Sequence, residues 1–494
     1  MNLRLSIVIT TALLILLSFS CGEKKIIEPI TPFERNKNKP LPFEVSVLAV
    51  SDSFATIGWG PVYDIDHDVL YHSIYLDNSL VTSDLSTDGI YRFKNLLPNK
   101  SYVGMVVVTD KKTEPVSANF SFSTKPIFER FDRLFEGYNG NLPSGNTIIK
   151  SNNGGYVVAG IAGSGEYYSG HGLYLLKLDE LGFEQWHAIY PSFQGSYRPK
   201  IIQSQNNDYL IANQESIARL DISGKLIWRK SVDAAAIGKT LYNGVVEMPD
   251  NSIITVGTKN IIVNNIITSI IGVVSKFNIN GGLLWSKNYL FSERTEFYDI
   301  VASGDGQFVI LGATGVYGNY DTSAIKIDGD GNVVWQEVYT NTRFDIPERI
   351  LLTSDNGYII AANTIGETNI VYARILKIDS EGKMTWGNEF LFDEIDRFNT
   401  YCNSIIQTTD GAYVFAGSNG YTRQSASMVK LNSNGGVVWK QDFFPEGEVN
   451  YLWSAWGIVE SSDLGLVLLG RKSWYLNQNA ERGMWILKKD QFGQ

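Results

Sequence analysis

"KIDGDGNVVWQEVY", Lys326–Tyr339, decides the fold. Asp328, Asp330 and Asn332 alternate like the opening of a calcium loop, which requires oxygens at positions one, three and five, Gly at six and a bidentate Glu at twelve. Position six is Val333 and position twelve is Tyr339, so the pattern fails at both. The segment instead recurs along the chain: "KLDELGFEQW" (Lys177–Trp186), "RLDISGKLIW" (Arg219–Trp228), "KFNINGGLLW" (Lys276–Trp285), "KIDSEGKMTW" (Lys377–Trp386) and "KLNSNGGVVW" (Lys430–Trp439). Each reads K/R-x-D/N-x-x-G-x-x-x-W, and a last copy, "KKDQFG" (Lys488–Gly493), stops one residue before the chain ends. The place of Asp330 is taken elsewhere by Leu181, Ser223, Asn280, Glu381, Asn434 and Phe492, a substitution pattern no ligand position tolerates. The repeat reads as a tight hairpin: Asp or Asn bonds the following amides, Gly supplies a left-handed residue, and Trp offers a large apolar face.

Upstream of each hairpin lies a second pair of strands, as in "NTIIKSNNGGYVVAG" (146–160), "NSIIQTTDGAYVFAG" (403–417) and "WGIVESSDLGLVLLG" (456–470). Four strands repeated at about fifty-residue spacing predict an all-β chain whose main part is a β-propeller. The last copy lacks a fourth strand, while "RFDRLFEGY" (130–138) precedes the first copy. There Phe131 and Phe135 keep the spacing of Trp186 with Tyr190 and Trp335 with Tyr339. This predicts a seven-bladed propeller over 125–494 closed by strand 130–138, with eight blades as the alternative. The repeats resemble the bacterial propellers grouped as quinoprotein-like, which implies a fold rather than an activity. The barrel-assembly machinery of Gram-negative outer membranes contains a propeller lipoprotein with similar Gly-Trp repeats, but that one is built from blades alone.

The chain opens "MNLRLSIVITTALLILLSFSCGEKK": one basic residue, an apolar run and small residues before Cys21. This predicts a secretory signal over 1–20 and resembles a bacterial lipoprotein signal, which implies lipid on Cys21 and attachment to the cell envelope, as an outer-membrane lipoprotein. A polar tether follows over 21–41. Short alternating strands over 42–124 predict a β-sandwich. Trp59 after "FATIG", "LLPNKSY" (Leu96–Tyr102) and "FSFST" (Phe120–Thr124) resemble a fibronectin type III module, which implies a tyrosine corner at Tyr102. Within it, Asp64, Asp66, His67, Asp68 and His72 form a possible metal cluster; an acidic loop leading into a strand is the competing reading.

Of 494 residues, 52 are acidic and 42 basic, a formal charge of −10, and no basic tract occurs, so nucleic-acid binding is not expected. With Cys21 acylated, Cys402 has no partner for a disulfide. GxSxG, HExxH and phosphate-loop patterns are absent, and the chain holds only 4 histidines. No cofactor and no metal are expected. Seven residues at a constant inner-strand position, Lys150, Gln203, Glu247, Ala302, Leu352, Gln407 and Glu460, predict a mixed channel lining without a ligand set. The variable connections carry Tyr167, Tyr168, Tyr197, Tyr317, Tyr320, Tyr421, Trp453, Trp474 and Tyr475, an aromatic composition suited to a glycan or to an envelope protein partner. The expected function is non-enzymatic binding on that face. The alternative is a propeller enzyme, either a quinoprotein-like dehydrogenase or a polysaccharide-degrading enzyme.

Overall fold

The computed structural model describes residues 38–85, 89–125, 129–135, 142–163, 172–193, 198–231, 240–264, 266–316, 318–341, 343–366, 368–392, 399–420, 424–445, 451–476 and 479–493. All described secondary structure is strand and turn, and the chain divides into two compact units, Met1–Pro126 and Ile127–Gln494.

The first unit contains β1 (Val45–Val50), β2 (Ala55–Trp59), β3 (Tyr71–Leu76), β4 (Ser79–Leu85), β5 (Ile90–Phe93), β6 (Ser101–Thr109) and β7 (Val116–Ser123). They form two antiparallel sheets, ordered β1-β2-β5 and β4-β3-β6-β7. Alternation along β6 sends Tyr102, Val106 and Val108 inward to Ile57, Trp59, Phe93 and Phe120. The Leu97 amide donates to Tyr102 Oη at 2.8 Å, tying the loop before β6 to its own strand.

The second unit is a propeller-like succession of small antiparallel sheets. In chain order these are sheet I (142–190), II (200–231), III (240–289), IV (294–339), V (344–390), VI (400–443) and VII (454–489), each running from an inner first strand outward. A single parallel bridge, Ile270 to Arg294, links sheets III and IV. Sheet VII has three strands of its own, and β8 (Phe131–Phe135) is its fourth, paired antiparallel so that Phe135 faces Met484 and Phe131 faces Lys488. Second and third strands are buried on both faces between neighbouring sheets, so they read as unbroken apolar runs such as "YVVAGIAG" and "LYLLKL".

The repeated motif acts between sheets. Asp328 Oδ1 accepts from the amides of Asp330 (3.0 Å) and Asn332 (2.8 Å), and the opening Asp or Asn does the same in the other complete turns. The turn Gly sits at φ +79° in Gly331. It also leaves room for a ring: a Cβ there would meet the Trp285 indole of the preceding sheet at 2.9 Å. The same pairing joins Trp186 to Gly224, Trp228 to Gly281, Trp335 to Gly382, Trp386 to Gly435 and Trp439 to Gly493. Phe131 of β8 completes the circuit on Gly182 of sheet I. The second aromatic ring of the motif holds the same glycine: Tyr289 Oη donates to Gly331 O at 2.6 Å and Tyr339 Oη to Gly382 O at 2.8 Å.

The leading Lys or Arg of the repeat is buried in every copy but that of Lys276, which is half-buried, and it reaches the neighbouring inner turn. Lys326 meets Asp305 at 2.7 Å, Lys377 meets Asp355 at 2.9 Å, Lys430 meets Asp410 at 2.7 Å and Lys488 meets Asp463 at 2.6 Å. Burial pushes the Asp305 and Asp355 carboxyls up. Hydrogen bonds from the lysines and from Ser303 or Thr353 outweigh that, and both fall to about 2.

Candidate functional site

In an up-and-down sheet the first and third turns lie at one end, and the other connections emerge at the opposite end. The inner strands carry a second regularity there. Their pairing with the second strand slips at one register in six sheets: between Ala159 and Gly160, Tyr242 and Gly244, Phe297 and Asp299, Pro347 and Arg349, Cys402 and Ser404, and Ala455 and Gly457. Each slip is a β-bulge, and a bulge leaves one residue unpaired and re-aims its side chain. The extra residues are Asn146, Asn243, Tyr298, Glu348, Asn403 and Trp456, and all six line a single cavity of about 560 Å³. The glycine of the "AG" ending answers the bulge: a Cβ on Gly160, Gly257 or Gly417 would fall 1.8–1.9 Å from the opposing inner-strand carbonyl.

Charge gathers at the same level. Arg198 Nη1 donates to Glu348 Oε2 at 2.7 Å, and Lys200 Nζ lies 3.3 Å from the Glu348 carbonyl and 3.8 Å from Asp299. Arg349 Nε is 3.7 Å from Asp299, whose Oδ2 accepts the Ile350 amide. Tyr298 Oη donates to Glu296 at 3.0 Å. Burial pushes the Lys200 ammonium down, with Asp299 opposing; burial likewise pushes the Glu348 carboxyl up against the pull of Arg198 and Lys200. The Tyr298 phenol is raised by burial and by Glu296, so it stays protonated. Trp456 carries the Arg198 guanidinium at 5.3 Å from its ring centre, and its Nε1, like Asn146 Oδ1, has no hydrogen-bond partner among the described residues. Arg198, Glu348, Asn403 and Trp456 also line an adjoining cavity of about 380 Å³.

No protein-family model matches the chain. No curated protein matches it in sequence. Among solved structures it is similar to a polysaccharide lyase, the PL25 ulvan lyase (9% identity, 71% of this chain and 95% of that one, TM-score 0.49). It is similar also to the WD40 domain of Pan2 from Neurospora crassa (9% identity, 71% and 92%, TM-score 0.45), and to a protein of unknown function from Bacteroides caccae (12% identity, 57% and 92%, TM-score 0.38). Likeness at this level carries no functional argument, and the fold rests on the pairings above.

The channel position chosen from sequence holds for Lys150, which lines the cavity, and needs correction elsewhere. Gln203, Glu247, Gln407 and Glu460 accept the amides of Asn152, Gln205, Ser354 and Thr409 at 2.7–2.9 Å, each in the turn of the preceding sheet. The last inner-strand residue lies level with a neighbouring turn whose amides would otherwise lack partners, so it fastens sheets together. The cavity is lined by the residues four positions earlier in the same register, where a Tyr, a Glu and a Trp among asparagines are the available signal.

Among the aromatic candidates, Tyr320 is buried, its ring 5.1 Å from Phe344 and its hydroxyl accepting from Arg294. Trp453 is half-buried, 5.5 Å from Trp485 and beneath Lys472 at 4.4 Å. Both serve packing. Trp474 and Tyr475 lie in the strand Leu466–Leu476, but their side chains fall outside the described ones. Tyr167, Tyr168, Tyr197, Tyr317, Tyr421 and Cys21 lie outside the described residues.

The acidic cluster of the first unit does not converge. Asp64 Oδ1 accepts the amides of Asp66 and Asp68, Asp68 pairs with Lys112 at 2.6 Å, and Asp66 accepts from Asn38. His67 takes a left-handed conformation at φ +60°, and His72 is buried 5.8 Å from Trp59. Among the described residues no three His, Cys, Asp or Glu side chains gather closely enough to hold a metal. Cys402 is buried and unpaired, and burial pushes its thiol well up.

Proposed function

We propose that this chain is a cell-envelope lipoprotein, lipidated at Cys21, in which a fibronectin type III module precedes a seven-bladed propeller. In this reading the propeller binds a small polar ligand, a glycan or a polar group of an envelope protein, in its channel. The module assignment is supported by the β1-β2-β5 and β4-β3-β6-β7 sheets and by the Leu97–Tyr102 hydrogen bond, the mark of a tyrosine corner. The blade count is supported by the circuit of ring-on-glycine contacts that returns through Phe131 to Gly182. The single observation that carries the ligand site is the ring of six bulged residues around one cavity of about 560 Å³, within the usual range of ligand pockets.

Calorimetric titration with oligosaccharides tests the site: Trp456→Ala should weaken binding while thermal unfolding holds. Unchanged affinity would remove the channel from consideration. Palmitate labelling of the wild type and Cys21→Ser tests the anchor, and labelling that persists in the variant would refute it.

A polysaccharide-cleaving activity is the second reading. It is favoured by Tyr298, Glu296, Lys200 and Arg349 lining one cavity, where the protonated Tyr298 phenol donates to Glu296. Release of unsaturated or reducing ends from polyuronates, lost in Tyr298→Phe, is its test.

A further inference from the structure

We infer that the ligand of the channel cavity is an anionic saccharide, held through a carboxylate or sulfate by Arg198, Lys200 and Arg349. This rests on reading the cavity as a ligand site. The first argument is charge. The chain carries −10 overall, yet its charged cavity lining is Lys150, Arg198, Lys200 and Arg349 against only Glu296 and Glu348. Counting Asp299 behind the wall still leaves one cation in surplus. A reversal of sign confined to a cavity selects a partner of the opposite charge.

The second argument is hydrogen-bond capacity. Each guanidinium has five N–H donors and an ammonium three, whereas a carboxylate offers about four acceptor sites. Part of that acceptor capacity is already used: Asp299 Oδ2 takes the Ile350 amide and Glu348 Oε1 takes Asn363 Nδ2. Arg349 approaches Asp299 no closer than 3.7 Å, beyond hydrogen-bond range, and half of the Arg198 side chain is open. Donors therefore exceed acceptors, and the missing partner is rich in oxygen. The planar forks of Arg198 and Arg349 match a carboxylate or sulfate bidentately, which a neutral hydroxyl cannot reproduce.

The third argument concerns the rest of the ligand. Trp456 forms part of the wall of both cavities, and bulged Asn146, Asn243 and Asn403 surround the larger one. An aromatic face beside side-chain amides suits a hydroxylated ring. Both chambers share the Arg198–Glu348 pair. An acidic sugar entering there would exchange its own carboxylate for that of Glu348 on Arg198.

The experiment titrates the full lipid-free chain with a uronate oligosaccharide, a sulfated oligosaccharide, a neutral oligosaccharide of equal length and inorganic sulfate, at low and high salt. The acidic saccharides should bind about tenfold or more tighter than the neutral one, the worth of one charge-assisted hydrogen bond, and high salt should erase the difference. Which acidic saccharide binds tighter separates carboxylate from sulfate. Arg198→Met should bring the acidic saccharides down to the affinity of the neutral one, and a preference that persists in that variant overturns the role of Arg198; the comparison on the wild type needs no variant to fold. Equal affinity for neutral and acidic saccharides, both lost in Trp456→Ala, overturns the anion and leaves the channel site standing. Inorganic sulfate binding as tightly as the saccharides overturns the sugar. Binding of none overturns both.

Discussion

The two ends of the propeller-like unit obey opposite rules. At the hairpin end sheets I–VI repeat one arrangement: a side-chain oxygen on two amides, a ring on a glycine, and a lysine or arginine directed at the inner turn. At the opposite end the inner-strand bulge repeats, but the side chain it presents is not constant: Asn146, Asn243 and Asn403 in three sheets, Tyr298, Glu348 and Trp456 in the other three. Repetition marks the contacts that hold sheets together, because each must meet the same neighbour. Variation on a repeated backbone device marks the surface that meets something else. The burial of charge differs likewise: Lys326, Lys377, Lys430 and Lys488 each face one carboxylate at 2.6–2.9 Å, whereas Lys200 and Arg349 share Asp299 at 3.7–3.8 Å.

Several changes would break this division if it is misdrawn. The largest effect is expected from removing residues 129–138. Sheet VII would lose its outer strand and Gly182 its covering ring. An unpaired strand edge invites association, so the truncated chain should aggregate and lose a single cooperative transition in calorimetry. A truncation as stable as the full chain would mean that β8 is not needed to close the unit. Next, Trp335→Ala removes a half-buried indole that packs on Gly382 and donates to Ser380 O at 3.2 Å. Denaturant unfolding should show a loss of about 3 kcal/mol, the low end for a large-to-small change of this kind, with ligand affinity intact. A smaller loss, about 1–3 kcal/mol, is expected for Gly331→Ala, which forces a side chain into a left-handed conformation and against Trp285 and the Tyr289 hydroxyl.

The smallest effect should come from acid. Asp305 and Asp355 are depressed to about 2, below their unfolded values, so the stability they lend is present above pH about 4. It is lost progressively as the pH falls toward 2, and Asp305→Asn should flatten that part of the stability profile. Their partial exposure keeps the contribution modest, and salt should reduce it further. A profile unchanged by the substitution would show that the lysine contact contributes nothing measurable.

The turn of "KIDGDGNVVW" was legible because its cause is local: Asp328, Asp330, Gly331 and Asn332 contact one another within five residues, and recurrence singled out which of them matter. The spacing of Trp335 with Tyr339 was legible as well, and its partner, Gly382, lies one repeat further on. The cavity was not legible. Lys200, Asp299, Glu348 and Arg349 come from sheets II, IV and V, Arg198 from the connection that enters sheet II, and no period or motif spans them. Nor does a linear pattern reveal a bulge, which exists only as a mismatch between two paired strands. The same limit explains Gln203 and Glu460, whose place at the end of an inner strand suggested a channel until the neighbouring turns took their oxygens. The sequence by itself determined the repeat, its turn and the pieces that close it, because those depend on contacts at a constant offset along the chain. Only the tertiary structure decided which side chains share a cavity, because a register slip and the meeting of distant sheets set that arrangement.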